Sequence, residues 1–131
     1  MNQIILSDHL CIKYVIIKTK FERVKSCQDL FHCSAAEALY HATRHSWRIN
    51  VKRANDYRYV LCVIDNVVCE VYSVKEWKKV NEKWANDDEK TIGRYEFIGE
   101  IAEKTVRDEL IHKIIPDKFR KRGMQSPILY N

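Results

Sequence analysis

Glycine and proline are scarce, at 3 and 2 in a chain of 131 residues. That excludes a linker, a collagen-like chain and a low-complexity segment. The glycines, Gly93, Gly99 and Gly123, build no glycine-rich phosphate loop. Walker-type nucleotide hydrolysis and a Rossmann dinucleotide site are excluded with it. No apolar run approaches the ~20 residues that a membrane span needs; the longest, Val60–Ile64, is strand-sized. Met1 to Ile16 lacks a basic start followed by a long apolar block and a small-residue cleavage site, so no signal peptide is expected. No Cys-x-x-Cys pair occurs among Cys11, Cys27, Cys33, Cys62 and Cys69. Free thiols in a reducing cytosol are therefore expected. No Gly-x-Ser-x-Gly elbow is present, and nucleophilic catalysis has little to stand on. A Cys/His pair such as Cys27 with His112 has no local signature, and nothing favours it.

Hydrophobic residues make up 46% and charged residues 31%. This is the mix of one globular domain, expected to span 1–131. The formal net charge of +5 permits an anionic partner without demanding one. The basic residues crowd toward the end, as Lys113, Lys118, Arg120, Lys121 and Arg122 against a single Asp117, while carboxylates gather in Glu82–Glu89.

The periodicities predict mixed strands and helices. Leu10–Lys18 reads as a strand, followed by loop or a short helix over Thr19–Asp29. Ser34-Ala-Ala-Glu37 has the spacing of a capping box and predicts a helix from Ala35 to about His45. Trp47–Val51 reads as a short strand. Tyr57–Ile64 is apolar on both faces, as in a central, doubly covered strand, and Asp65-Asn66 turns it back into Val67–Val74. Trp77, Val80 and Trp84 at helical spacing predict a helix over Val74–Trp84. Arg94–Gly99 reads as a strand and Glu100–Lys113 as a helix ended by Pro116. The expected fold class is α+β, a single domain with a mixed, mostly antiparallel sheet and two or three flanking helices.

An ordered set of residues runs through these elements. It comprises Glu37-x-Leu39-Tyr40-x-Ala42-Thr43-Arg44-x-x-Trp47, Tyr59-Val60-Leu61, Val71-Tyr72-x-Val74-x-x-Trp77, Gly93-Arg94-Tyr95-Glu96-Phe97-Ile98-Gly99 and Arg122-Gly123-x-Gln125-x-Pro127-Ile128-x-Tyr130-Asn131. From about Leu30 to the C-terminus the chain resembles the accessory domain that follows the nuclease module in LEM-like GIY-YIG proteins, a domain also found free-standing in bacteria and phages. The nuclease module is absent, since no GIY or YIG tripeptide occurs, and none of its catalytic residues can be carried over. The usual tail has Asn before the proline, where this chain has Ser126. The resemblance implies a binding or accessory role.

Three residue sets could carry that role. Arg44, Trp47, Arg94, Phe97, Arg122 and Gln125 combine guanidinium forks for phosphate with aromatic faces for a base. The plainer alternative buries the aromatics in the core and ion-pairs the arginines. Lys118, Arg120, Lys121 and Arg122 form a basic segment for nucleic acid, or simply a solvated surface balancing the preceding helix dipole. Cys33, Glu37, His41 and His45 recur every fourth residue, but His41-Ala42-Thr43-Arg44-His45 lacks the glutamate of a zincin helix. No metal and no cofactor are expected.

The expectation is a cytoplasmic, non-enzymatic binding protein for a phosphate-bearing nucleotide, with no membrane partner. One concrete version is a phage or mobile-element counter-defence protein that sequesters an immune nucleotide signal. The alternative is a nucleic-acid-binding accessory domain using the basic segment, and third stands a small Cys/His or metal-dependent enzyme. Trp77 and Trp84 read as exposed, a hint of homo-oligomer formation.

Overall fold

The computed structural model describes residues 4–6, 12–81, 92–121 and 126–131. The chain is an α+β domain built on one five-stranded mixed sheet in the order β4-β3-β2-β1-β5. Its strands are β1 (Tyr14–Lys18), β2 (Tyr59–Ile64), β3 (Val67–Lys79), β4 (Tyr95–Ile101) and β5 (Ile128–Tyr130). Its helices are α1 (Phe21–Phe31), α2 (Ala35–Arg44), the single turn α3 (Val51–Ala54) and α4 (Lys104–Leu110). β1 and β2 run parallel, and the other neighbours are antiparallel. A parallel pair needs a long crossover, and α1, α2 and α3 supply it.

β2 is buried along its whole length, as its two-sided apolar sequence requires. Alternation sends Tyr59, Leu61 and Val63 into a core closed by Leu110, Ile115 and Phe119. Val60, Cys62 and Ile64 go into the opposite core, shared with Tyr72, Trp77 and Phe97 and flanked by Leu39 and Tyr40 of α2. Burial pushes the Cys62 thiol up to about 12, which makes it an inert core residue rather than a nucleophile. The Asp65-Asn66 turn places both residues at positive φ, the geometry of a two-residue hairpin.

α2 starts where the capping spacing predicts, with the Glu37 amide donating to Ser34 Oγ at 3.1 Å. It packs through Ala38 and Ala42 on Cys27 of α1, small residues that let the two helices approach. α1 is a full helix of 11 residues, longer than expected. It lacks a side-chain cap and is held by this packing. It also closes the end of α2: Arg23 donates from Nε to the Ala42 carbonyl at 3.1 Å and from a terminal nitrogen to the His45 carbonyl at 3.0 Å.

Three expectations are corrected. The helix expected over Val74–Trp84 is strand as far as Lys79, and residues 82–84 lie outside the described ones. A β-bulge between Val74 and Glu76 adds one residue, so Val74 and Trp77 share a face while standing three apart. That spacing imitates a helix. Trp77 is accordingly buried, at 9% exposure, and gives no hint of a subunit contact. The strand expected at Trp47–Val51 reduces to an isolated bridge from Trp47 to Tyr95, followed by α3. α4 is half the expected length: Ile101 belongs to β4, and His112 breaks the helix at a φ of 67°. Ile114 bridges Val67 and Ile5 instead of continuing the helical stripe. Among the described residues no helix is long and apolar enough to cross a membrane.

Candidate functional site

The β4 edge is where the expected residues meet. The residues after α2 run back along it: the Trp47 amide donates to the Tyr95 carbonyl at 2.8 Å, and the Tyr95 amide returns to the Trp47 carbonyl at 2.9 Å. Arg44 Nε donates to the Phe97 carbonyl at 3.1 Å, and the Gly99 amide donates to the Tyr40 hydroxyl at 3.0 Å. Side chains and backbone from one helix end thus occupy outward-facing groups of an edge strand, which otherwise invites a foreign strand. Gly99 has no alternative here, because a Cβ would lie 2.3 Å from the Ser73 carbonyl oxygen on β3.

Arg44, Trp47, Arg94 and Phe97 therefore share one edge, but in different states. Phe97 is fully buried, with its ring against Tyr40, Tyr72 and Trp77 at centroid distances of 5.9, 6.0 and 5.3 Å. It is a core residue with no face left to stack a base, which corrects the expectation for this position. Arg44 also pairs with Glu96 at 3.2 Å and lies over the Tyr40 ring. Its fork is committed within the protein and cannot also serve as the expected phosphate grip. Trp47 donates from Nε1 to the Thr43 carbonyl at 2.7 Å, and the Arg23 guanidinium sits 5.6 Å from its ring centre. Arg122 and Gln125 lie outside the described residues.

The buried Glu96 carboxylate is the hub of this edge. It meets Arg44, His45 Nδ1 at 2.7 Å and Lys78 at 3.7 Å. Two permanent cations, Arg44 and Lys78, thus share this one carboxylate. Three polar atoms here are buried without a hydrogen-bond partner among the described residues: Ser46 Oγ, Trp77 Nε1 and Arg94 Nε. Such a donor costs about 1–3 kcal/mol, and more when it belongs to a charged group. Ser46 also sits at a φ of 71°, an unusual backbone for a residue with a side chain. Ser46 did not stand out in the sequence, and His45 did so only in the every-fourth-residue set with Cys33, Glu37 and His41, because their part here depends on the Trp47–Tyr95 bridge between distant segments.

The other expected sets do not converge. Cys33 precedes the Ser34 cap, α2 ends at Arg44, and His45 turns away to Glu96. The His41 ring rests on Phe31 at 4.7 Å, and burial with the neighbouring Arg44 charge lowers its pKa. Among the described residues no group of three His, Cys, Asp or Glu could hold a metal. Cys27 is buried between α1 and α2, while His112 follows α4 on the other face. In the basic segment Arg120 is paired with Asp117 and donates from Nε to the Ile115 carbonyl at 2.7 Å. Lys118 lies over the Phe119 ring at 5.1 Å, Lys121 is exposed, and Arg122 is outside the described residues. A cleft of ≈ 240 Å³ between α2 and β4 is mainly apolar, and its charged lining residues are the carboxylates Glu37 and Glu100, the wrong sign for phosphate.

Comparison of this chain with protein-family models, with curated proteins and with solved structures finds no match in any of the three. What is defined is the class: an α+β domain with a cation-rich, sealed sheet edge.

Proposed function

We propose that this protein is a non-catalytic binding domain for a phosphate-bearing nucleotide, which it holds at the β4 edge without converting it. The observation that carries this is Arg94 Nε, a buried guanidinium donor with no acceptor among the described residues. An anionic oxygen would satisfy that donor, and a charge-assisted bond there is stronger than a neutral one. Lys78, which meets Glu96, adds a positive charge to the same edge, and Ser46 Oγ adds a neutral donor there. Arg44 serves this reading as a positioning residue: it fixes Glu96 and the Phe97 carbonyl, and so holds the strand that presents Arg94. The resemblance to the accessory domain of LEM-like GIY-YIG proteins points the same way, since it implies a binding or accessory role. The nucleic-acid alternative would rest on Lys118 and Lys121, because Arg120 is already occupied.

The test is to denature the protein as purified and identify the released small molecules by mass spectrometry, for wild type and Arg94→Ala. A nucleotide retained by wild type and lost by a normally melting Arg94→Ala supports the site. The affinity loss expected for one charged hydrogen bond is about 10- to 100-fold. An Arg94→Ala variant that folds and retains the nucleotide equally sinks it. Long nucleic acid that washes off in high salt moves the assignment to the basic segment.

A further inference from the structure

At the opposite edge of the sheet, cations and aromatic rings are arranged differently. Tyr57, just before β2, and Tyr130 of β5 have ring centres 5.2 Å apart at 50°. The Arg53 guanidinium, on α3, lies 4.1 Å from the centre of the Tyr130 ring. Lys13 Nζ lies 5.6 Å from the centre of the Tyr57 ring. Both rings are half-buried and both cations are exposed. The rings are anchored from below, because the Tyr57 hydroxyl donates to the Asn131 carbonyl at 3.0 Å and β5 is paired to β1. Among the described residues neither cation is paired with a carboxylate, although the exposed Asp56 is close in sequence. Lys52 extends the same exposed basic surface.

We infer that this corner is a contact surface for single-stranded nucleic acid. A guanidinium laid flat on a ring is already ordered, so less entropy is lost when it bonds a phosphate. It keeps its donors at the rim and one planar face outward, on which an unpaired base can stack. Two adjoining rings, each with its own cation, repeat base-stacking and phosphate contacts at neighbouring positions, as single-strand binding requires. One cation over one ring is ordinary surface chemistry; two on touching rings, with no carboxylate among the described residues to neutralise them, form a built platform. A duplex hides its base faces and fits this platform poorly. The surface uses none of the residues proposed for the nucleotide at the β4 edge, so the two proposals stand or fall separately.

The experiment is fluorescence anisotropy with labelled oligonucleotides of about 12 residues, a single-strand site size. Oligo-uridine and oligo-thymidine are compared with a duplex of equal length. The proteins are wild type, the double variant Lys13→Ala/Arg53→Ala, and Arg94→Ala, each checked for its melting temperature. Wild type is expected to bind at least one single strand better than the duplex, with a log–log salt slope of about 1–2. The double variant, which removes only exposed side chains, is expected to bind about tenfold or more weakly while melting normally. The inference is overturned if wild type binds neither strand at low salt, if the double variant binds as well as wild type, or if the duplex binds as tightly. It is overturned equally if Arg94→Ala loses binding as the double variant does, since the strand then sits at the β4 edge.

Discussion

Along β4, backbone groups of Tyr95, Phe97 and Gly99 meet the Trp47 backbone, the Arg44 guanidinium and the Tyr40 hydroxyl. At the other margin β5 is only three residues long, and the chain closes there through Asn131, whose side chain accepts from the Tyr14 amide at 2.6 Å and donates to the Ile12 carbonyl at 2.8 Å. Both margins protect a sheet edge, but one uses buried charge and the other a short strand with a polar clamp. The arginines show what this difference means. Arg44 is half-buried and tied to Glu96 and Phe97, whereas Arg53 lies exposed on Tyr130 with no carboxylate paired to it among the described residues. Residues alike in sequence thus do structural work at one edge and remain open to a partner at the other.

The comparison can be broken most severely at the buried edge. Arg44→Ala leaves the Glu96 carboxylate short of a partner and uncaps the Phe97 carbonyl, with an expected loss of about 2–4 kcal/mol in urea unfolding. A loss below about 0.5 kcal/mol, the scale of an exposed pair, would show that the two edges do not differ in this way. At the β5 edge, Asn131→Ala removes two hydrogen bonds to the start of β1, and about 1–2 kcal/mol is expected. An equal or larger loss than Arg44→Ala would reverse the order of the two edges.

The smallest effect is expected at a partly buried bond between the edges, where the Tyr59 hydroxyl donates to the Glu103 carboxylate. That bond holds Glu103 below the ordinary carboxylate range and raises Tyr59. A carboxyl with a depressed folded pKa stabilises the fold above its unfolded pKa, and the contribution is lost as pH falls through the folded value. Tyr59→Phe should return the Glu103 pKa upward in a carboxyl titration by nuclear magnetic resonance, and should remove that part of the acid sensitivity. An unmoved Glu103 would show that the bond does not form in solution.

The start of α2 and the β2–β3 turn were legible because their signals are local. A serine three residues before a glutamate, and a two-residue turn between apolar runs, act within a few residues. The length of β3 was not legible, because Trp77 near its end and Val80 just beyond it are both buried and stand three apart, the spacing of a helix. α1 was underread because it carries no cap of its own and depends on Ala38 and Ala42 of α2. For the site, the sequence grouped Arg44, Trp47, Arg94 and Phe97, and the structure does put them at one edge. It could not show that Phe97 is core, that Arg44 is already paired, or that Arg53, Tyr57 and Tyr130 meet.

The amino-acid sequence by itself determined the α+β class, the doubly buried β2 and the absence of glycine loops for nucleotide hydrolysis. These follow from composition, periodicity and spacing, which are properties of short stretches. Only the tertiary structure decided which arginine is a strut and which is free to bind. That depends on the carboxylate or ring that the fold brings beside each guanidinium, as Glu96 is brought to Arg44 and Tyr130 to Arg53 from far along the chain. A guanidinium carries the same charge in either place, and its neighbours set whether that charge is already spoken for.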